Sequence, residues 1–452
     1  MLAFKQNIFY ITKKIIMRYT SAIGYNRTAG ALFVALETIR KQHLLDNYDF
    51  KFIVDFDECE EITAVKYVIE FIVKHNIDVL FGPTCNIPAI TTGVISSVYN
   101  LPHYIWGFTT ANELAHADRF PTVIIMSPNY YTLSLALLSV LKHFGWFEFA
   151  FVYFGSEDKE RCPIYLTDLQ EALSQNREHV LRFVKVFPDD SETTIRLALS
   201  QLRQRARIIV YCSSNIVVMR KFMLLAHDMN MINDEYVYIL SELGVTGYID
   251  CFFYRSKQLV FFILKQKTAI RRDAMSCQMR CTTKPSPQRF CTASSDDKNK
   301  ITYIWQDTST PSDGRDDDAY EAFQRTFILS DRGDNIRLSA EYSNFSRNVQ
   351  QNTQKHFNCG SYCDANNGWK LGLFADQLHD ALLIYATVVN KTFTTDGEVQ
   401  IHRDGRKLFN NTAGKYKGNK LKWLITGIGV VTAVIPFVSP YSQKSLFMMV
   451  IA

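Results

Sequence analysis

At 452 residues, 47% of them hydrophobic and 21% charged, the chain is long enough for two or three domains with large cores and is not disordered. Its net charge of +5 is concentrated, because residues 255–300 hold eleven Lys/Arg against three Asp, or +8, leaving −3 elsewhere. A chain that is acidic outside one segment is a poor nucleic-acid binder. Ten cysteines are too few for a disulfide-built miniprotein and fit either an oxidised exterior or the core of a cytosolic enzyme.

The N-terminal residues MLAFKQNIFYITKKIIMRYTSA make a poor signal peptide, since Lys5, Lys13 and Lys14 interrupt the apolar run. Residues 1–28 therefore read as an atypical segment, either intracellular or not the natural start. Ala29 to Leu45 reads as a helix and Tyr48 to Phe56 as a strand. Glu60 to Asn76 reads as a helix with Ile62, Val65, Ile69, Ile72 and Val73 on one face. The run Val79 to Phe81 then stops at Gly82-Pro83, a cysteine-bearing turn follows, and Asn86 to Tyr99 and His103 to Phe108 read as a helix and a second strand. This strand–loop–helix–strand unit puts its loop at a strand's carboxyl end, where open α/β sheets bind ligands.

A short run, Thr122 to Met126, ends in the turn signal Ser127-Pro128. Helix, strand, helix, strand then alternate over Asn129–Phe144, 147–154, Pro163–Asn176, His179–Phe187, Thr193–Ala206, Arg207–Cys212, Val217–Met231 and Tyr236–Leu240. Two such runs, before and after Pro128, predict an α/β protein of two Rossmann-like lobes with parallel sheets. The rhythm breaks near Gly247, and residues 246–315 read as an irregular insertion. Asp316 to Ser330 opens with acidic residues that suit a helix N-terminus. Phe374 to Thr392 is a strongly periodic helix, and 401–452 is a tail. Its twenty uncharged residues from Trp423 to Ser442 are long enough to cross a bilayer. Gly427, Gly429, Pro436 and Pro440 equally suit a buried strand and loop.

Catalytic motifs are missing: the chain has no phosphate loop, no G-x-S-x-G elbow and no H-E-x-x-H. Gly427-Ile-Gly429 begins a dinucleotide fingerprint that Thr432 breaks. The cluster Asp313, Asp316, Asp317, Asp318 lacks the spacing of a calcium loop, and His356, Cys359 and Cys363 lack a fourth zinc ligand, so no metal is expected. The turn Gly82-Pro83-Thr84-Cys85 feeds a helix, whose free first-turn N–H groups could hold a small anion. A cap by Asn86 or Thr84 satisfies the same groups. Four glycosylation sequons begin at Asn26, Asn344, Asn390 and Asn410 and suit a secreted setting.

From Thr28 to about Leu243 the sequence resembles the extracellular ligand-binding region of receptor guanylyl cyclases: the natriuretic-peptide receptors and, more closely, nematode sensory receptor cyclases. The phrases that carry this are AGALFVALETIR, DFDECEE, DVLFGPTCNIPAI, YNLPHYIWGFTTANELAHADRFPTVIIMSPNYYTLSLALLSVLKHFGW, CPIYLTDLQ and YVYILSEL. Weaker similarity resumes at DGRDDDAYEAF and FADQLHDALLIYATVVNKTF. The resemblance implies a periplasmic-binding-protein type I fold, with 29–127 plus 316–400 as lobe one and 128–245 as lobe two. It implies disulfides Cys59–Cys85 and Cys162–Cys212, and a chloride at Thr84 and Cys85, although Thr84 stands where the natriuretic receptors have glycine.

The expected function is that of an extracellular sensor, membrane-attached in its full-length relatives and secreted if 423–442 does not span. It would bind a peptide or small-molecule cue, with Trp106, Thr109 and Thr110 as cleft candidates and a homodimer as the assembly. No kinase-like or cyclase segment precedes Ala452, so no enzymatic activity is expected of this polypeptide. The rival readings are a solute- or amino-acid-binding receptor domain of the same fold and an intracellular α/β enzyme, for which no cofactor motif is present.

Overall fold

The computed structural model describes residues 2–4, 20–155, 160–213, 215–241, 304–307, 309–329, 340–357, 369–396, 401–417, 422–425 and 431–434. Two five-stranded sheets, each flanked by helices, form two lobes.

In the first lobe the elements run β1 (Leu2–Phe4), α1 (Thr20–Ile23), α2 (Tyr25–Thr28), α3 (Gly30–Lys41), β2 (Phe52–Val54), α4 (Glu61–His75), β3 (Leu80–Phe81), α5 (Asn86–Val98), β4 (His103–Ile105), a 3-10 turn (Asn112–Ala115) and β5 (Val123–Ile125). The sheet order is β2-β1-β3-β4-β5. β3, β4 and β5 are parallel. β1 lies antiparallel between β2 and β3, with Leu2 opposite Val54 and Ala3 opposite Leu80. Residues 2–4 of the atypical N-terminal segment thus supply an interior strand of the sheet.

The second lobe runs α6 (Tyr130–Phe144), β6 (Glu148–Phe154), α7 (Arg161–Gln175), β7 (Val180–Phe187), α8 (Glu192–Arg205), β8 (Ile208–Cys212), α9 (Ile216–Asp228) and β9 (Val237–Ser241). After the undescribed residues 242–303 come α10 (Asp316–Phe323) and β10 (Thr326–Leu329). The sheet order is β10-β9-β8-β6-β7, parallel throughout. Helix ends follow local chemistry. Asn129 caps α6 by accepting from Thr132 N–H, and Gly145 closes it in the left-handed region at φ 70°.

The chain then returns to the first lobe with α11 (Ala340–Phe357), α12 (Ala375–Asp396), a 3-10 turn (Ile401–Arg403) and α13 (Gly405–Asn411). α12 is the core helix of that lobe, with Leu378, Ala381, Leu382, Tyr385 and Val389 packed among Phe81, Tyr104 and Ile124. Gly30 lets α3 meet α11 closely: a Cβ there would stand 2.0 Å from the Val349 carbonyl oxygen. β11 (Gly414–Lys417), β12 (Lys422–Ile425) and β13 (Val431–Val434) form a separate antiparallel sheet.

Three expectations need correction. The segment from Asp316 belongs to the second lobe as far as Leu329, because β10 pairs with β9 and Ala322 and Phe323 enter that lobe's core. The end of the expected insertion belongs there too, since Ile304 is buried in the same core and Arg220 binds Asp313 and Asp316. Residues 401–411 are not tail: Gly405 N–H donates to the Asn100 carbonyl and Asn100 Nδ2 to Asp404 Oδ1, fastening them to the first lobe. Of the stretch 423–442, only 423–425 and 431–434 are described, both in short strands; the rest lies outside the described residues, and no described helix is long and apolar enough to cross a membrane.

One face also turned outward. α4 is buried through Ala64, Val68 and Phe71, whereas Ile62 (86%), Ile69 (44%) and Val73 (67%) are exposed.

Candidate functional site

The site grows from the carboxyl ends of β3, β4 and β5, where the loops of the first lobe meet α7 of the second. The turn after β3 is held from beneath by His103. Its Nε2 lies 2.6 Å from the Gly82 carbonyl and its Nδ1 3.0 Å from Ser96 Oγ. His103 is fully buried, and burial lowers its pKa to about 4, partly opposed by the Gly82 carbonyl. It is therefore a neutral prop.

Cys59 and Cys85 are joined by a disulfide, Cα to Cα 5.6 Å, which ties the loop before α4 to this turn. In the second lobe Cys162, at the start of α7, is joined to Cys212 at the end of β8, Cα to Cα 5.9 Å. Each bridge lies within one lobe, so neither restrains motion between the lobes.

The loop after β4 is pinned by side-chain amides. Asn86 Oδ1 accepts from Thr110 N–H (2.7 Å) and Ala111 N–H (2.9 Å), and Asn86 Nδ2 donates to Thr110 Oγ1. Gln377 Oε1, from α12, accepts from Gly107 N–H and from Ser127 Oγ. Gly107 has φ 85°, and a Cβ there would lie 3.0 Å from the Thr84 Cβ, so the two turns are in contact.

The structure places Trp106, Thr109 and Thr110 in this loop and buries all three. Trp106 packs into the first lobe's core, and Thr110 is committed to the Asn86 network. Trp106 Nε1 and Thr109 Oγ1 are buried with no hydrogen-bond partner among the described residues. A buried donor left unmade costs free energy, so these two atoms are the loop's available polar groups.

Residues that the sequence did not single out complete the site, and they come from α7 and its approach. Glu160 Oε2 accepts from Asn86 N–H (3.3 Å), the Arg161 guanidinium lies 4.7 Å from the Phe108 ring centre, and Ile164 packs against both the second lobe's core and the first-lobe cluster that includes Ala111 and Leu114. Asp168 Oδ2 accepts from Asn112 N–H and Glu171 Oε2 from Asn112 Nδ2, both at 3.1 Å. Burial raises the pKa of Asp168 to about 7. Glu171 and Glu113 push the same way, while the Asn112 and Tyr131 amides oppose. Helical spacing could have shown that these polar residues share a face, but not that the face meets another lobe.

A chloride at Thr84 and Cys85 would lie beside a carboxylate from the other lobe. The helix end that would hold it already faces the Glu160 carboxylate, and two anions there repel. No group of three or more His, Cys, Asp or Glu suited to a metal exists among the described residues. His356 stacks on Phe33 at 3.7 Å, and Cys359 and Cys363 lie outside the described residues.

Of the four sequons, Asn344 on α11 and Asn410 on α13 are exposed. Asn26 and Asn390 are half-buried, and Asn390 Oδ1 accepts from Leu45 N–H.

Comparison with known proteins places these features. Residues 27–422 match the family described as the receptor family ligand binding region. Among curated proteins, the chain is similar to three receptor-type guanylate cyclases of Caenorhabditis elegans. It is 27% identical to gcy-7, with 84% of this chain and 30% of that protein covered. For gcy-20 the identity is 25%, covering 88% and 32%, and for gcy-14 it is 28%, covering 88% and 32%. The chain thus spans about a third of the length of these relatives.

Proposed function

The chain belongs to the receptor family of ligand-binding regions, and on that premise we propose that it is the extracellular sensor of a receptor-type guanylyl cyclase. It would take a peptide or small-molecule cue outside the membrane and pass it on as a rearrangement of lobes or protomers. The observation that carries this reading is the seam itself. The strand-end loops of one lobe face a single helix of the other, and both disulfides lie within lobes, leaving the lobes free to move as units. Disulfides also suit an oxidising exterior.

Two features bear on where the cue sits. Trp106 Nε1 and Thr109 Oγ1, buried without partners among the described residues, favour a small molecule with hydrogen-bond acceptors in an opened cleft. The outward faces of α4 and α5 favour a second copy of the chain as partner. Ile62, Ile69 and Val73 on α4 and Ile87, Val94 and Val98 on α5 repeat at helical spacing on adjacent helices and are exposed. All four sequons lie outside these helices, so glycans attached there leave α4 and α5 themselves unmodified.

Sedimentation tests the dimer. The wild type is expected to sediment as a dimer and Ile62→Asp with Val98→Asp as a folded monomer; a monomeric wild type defeats the homodimer. A thermal-shift screen of peptide and metabolite pools tests the sensor. A hit lost in Thr109→Ala locates the cue in the cleft, a hit lost only in the monomeric variant locates it between protomers, and stabilisation by no extracellular pool counts against a sensor.

A further inference from the structure

α7 has one face sunk in its own lobe and a second that reaches across to the first lobe, although Ile164 and Asp168 on that second face keep contacts in their own lobe as well. Cys162, Tyr165, Leu169 and Ala172 are buried in the second lobe's core, where Tyr165 Oη also lies 2.6 Å from Ser241 Oγ. Arg161, Ile164, Asp168 and Glu171 recur at three- and four-residue spacing, hence on one stripe. Every one of them meets the first lobe, at Phe108, the Ala111/Leu114 cluster and Asn112. Glu160, just before the helix, extends the stripe to Asn86 at the N-terminus of α5.

We propose that α7 is the latch between the lobes, and that the Glu160 carboxylate fills, at the N-terminus of α5, the place a free anion would take at Thr84 and Cys85. The helix end carries unpaired N–H groups and a partial positive charge, which a carboxylate satisfies as well as a halide does. A carboxylate borne by the other lobe does more than a halide, because it couples the turn to lobe position. Separating the lobes removes Glu160 from Asn86, Arg161 from Phe108, and Asp168 and Glu171 from Asn112 in one movement. The latch stands on the packing of the two lobes and holds whatever cue the protein takes.

Halide titration of the full chain tests the seat. Melting is followed as sodium chloride replaces sodium gluconate at constant ionic strength, for the wild type, Glu160→Ala and Glu160→Gln. The wild type is expected to show no chloride dependence. Both variants are expected to melt about 2–4 °C lower in gluconate and to regain the loss as chloride is added. Chloride-dependent melting of the wild type overturns the proposal, as does a variant no more sensitive to chloride than the wild type. Glu160→Gln keeps the side chain's volume and serves if the alanine variant fails to fold. Hydrogen exchange separates a latch from a local cap. Uptake in Glu160→Gln should rise together across 107–112 and 160–171, and a rise confined to Asn86 overturns the latch.

Discussion

The second lobe is built from one nearly continuous stretch, 130–241, and closed by 304–329. The first is assembled from β1, residues 20–129 and residues 340–411. Strand length follows this difference. β6 and β7 have seven and eight residues, whereas β2, β4 and β5 have three each and β3 two. A sheet of long parallel strands carries its own core, while a sheet of short strands depends on what covers it. In the first lobe that cover is α12, whose face packs on Phe81 and Tyr104 from far along the chain. Contacts between distant segments cost more chain entropy to form, so the first lobe should be the more easily undone by a change at one of its joints.

The largest effects should come from the disulfides. The loop closed by Cys162–Cys212 spans 50 residues and that closed by Cys59–Cys85 spans 26. Chain entropy then assigns about 4 kcal/mol to the first and about 3.5 kcal/mol to the second. Paired serine replacements followed by urea unfolding check the order; equal loss of both lobes in either variant would mean that the lobes unfold as one unit. Next comes Gly30→Ala. Its Cβ would overlap the Val349 carbonyl and force α3 from α11, at a cost of about 3 kcal/mol. Exchange protection should fall in α3, α11 and α12 and persist in β6, β8 and β9. Uniform loss would erase the contrast between the lobes.

The second lobe has its own long-range joint. Arg220, with a nearly buried side chain, forms a two-point ion pair with Asp313, also binds Asp316, and donates to the Trp305 carbonyl. Both aspartates are partly exposed and can be hydrated when the arginine is lost, so Arg220→Met should cost about 2 kcal/mol, below the penalty for breaking a fully buried pair. Proteolysis at 304–323 should accelerate while the first lobe stays protected.

A further effect is one of sign. Asp168 has a native pKa of about 7 against an ordinary 3.8, so the native state binds its proton more tightly than the unfolded chain does. Stability from this group is therefore lost as pH rises from about 4 to about 7 and is constant above. Asp168→Asn does not titrate there. Its stability relative to the wild type should improve from pH 4 to pH 7, as read by urea titration at pH 4.5 and pH 8; a constant difference would place Asp168 in water instead of at the seam.

Both lobes were legible as alternating apolar strands and amphipathic helices, because periodicity reports local burial. The boundaries from Pro163 to Asn176 and from Phe374 to Thr392 needed only small shifts, to 161–175 and 375–396. Four-residue β10 was hidden inside an expected helix, because Thr326 to Leu329 is too short to show a period of two. Three-residue β1 was hidden for the same reason. Ile62, Ile69 and Val73 marked a helix correctly but left open whether the core or the surface takes that face. The turn at Thr84 and Cys85 was visible as a helix start. Its partner Glu160 was not, since nothing local to residue 86 encodes a carboxylate 74 positions later.

The proposed function makes this chain an extracellular two-lobed region, each lobe closed by one disulfide. Non-reducing peptide mapping of the protein recovered from the surface or medium of expressing cells tests that most directly. The expected result is two linked peptide pairs, Cys59 with Cys85 and Cys162 with Cys212. Free, alkylatable thiols at those four positions would contradict it.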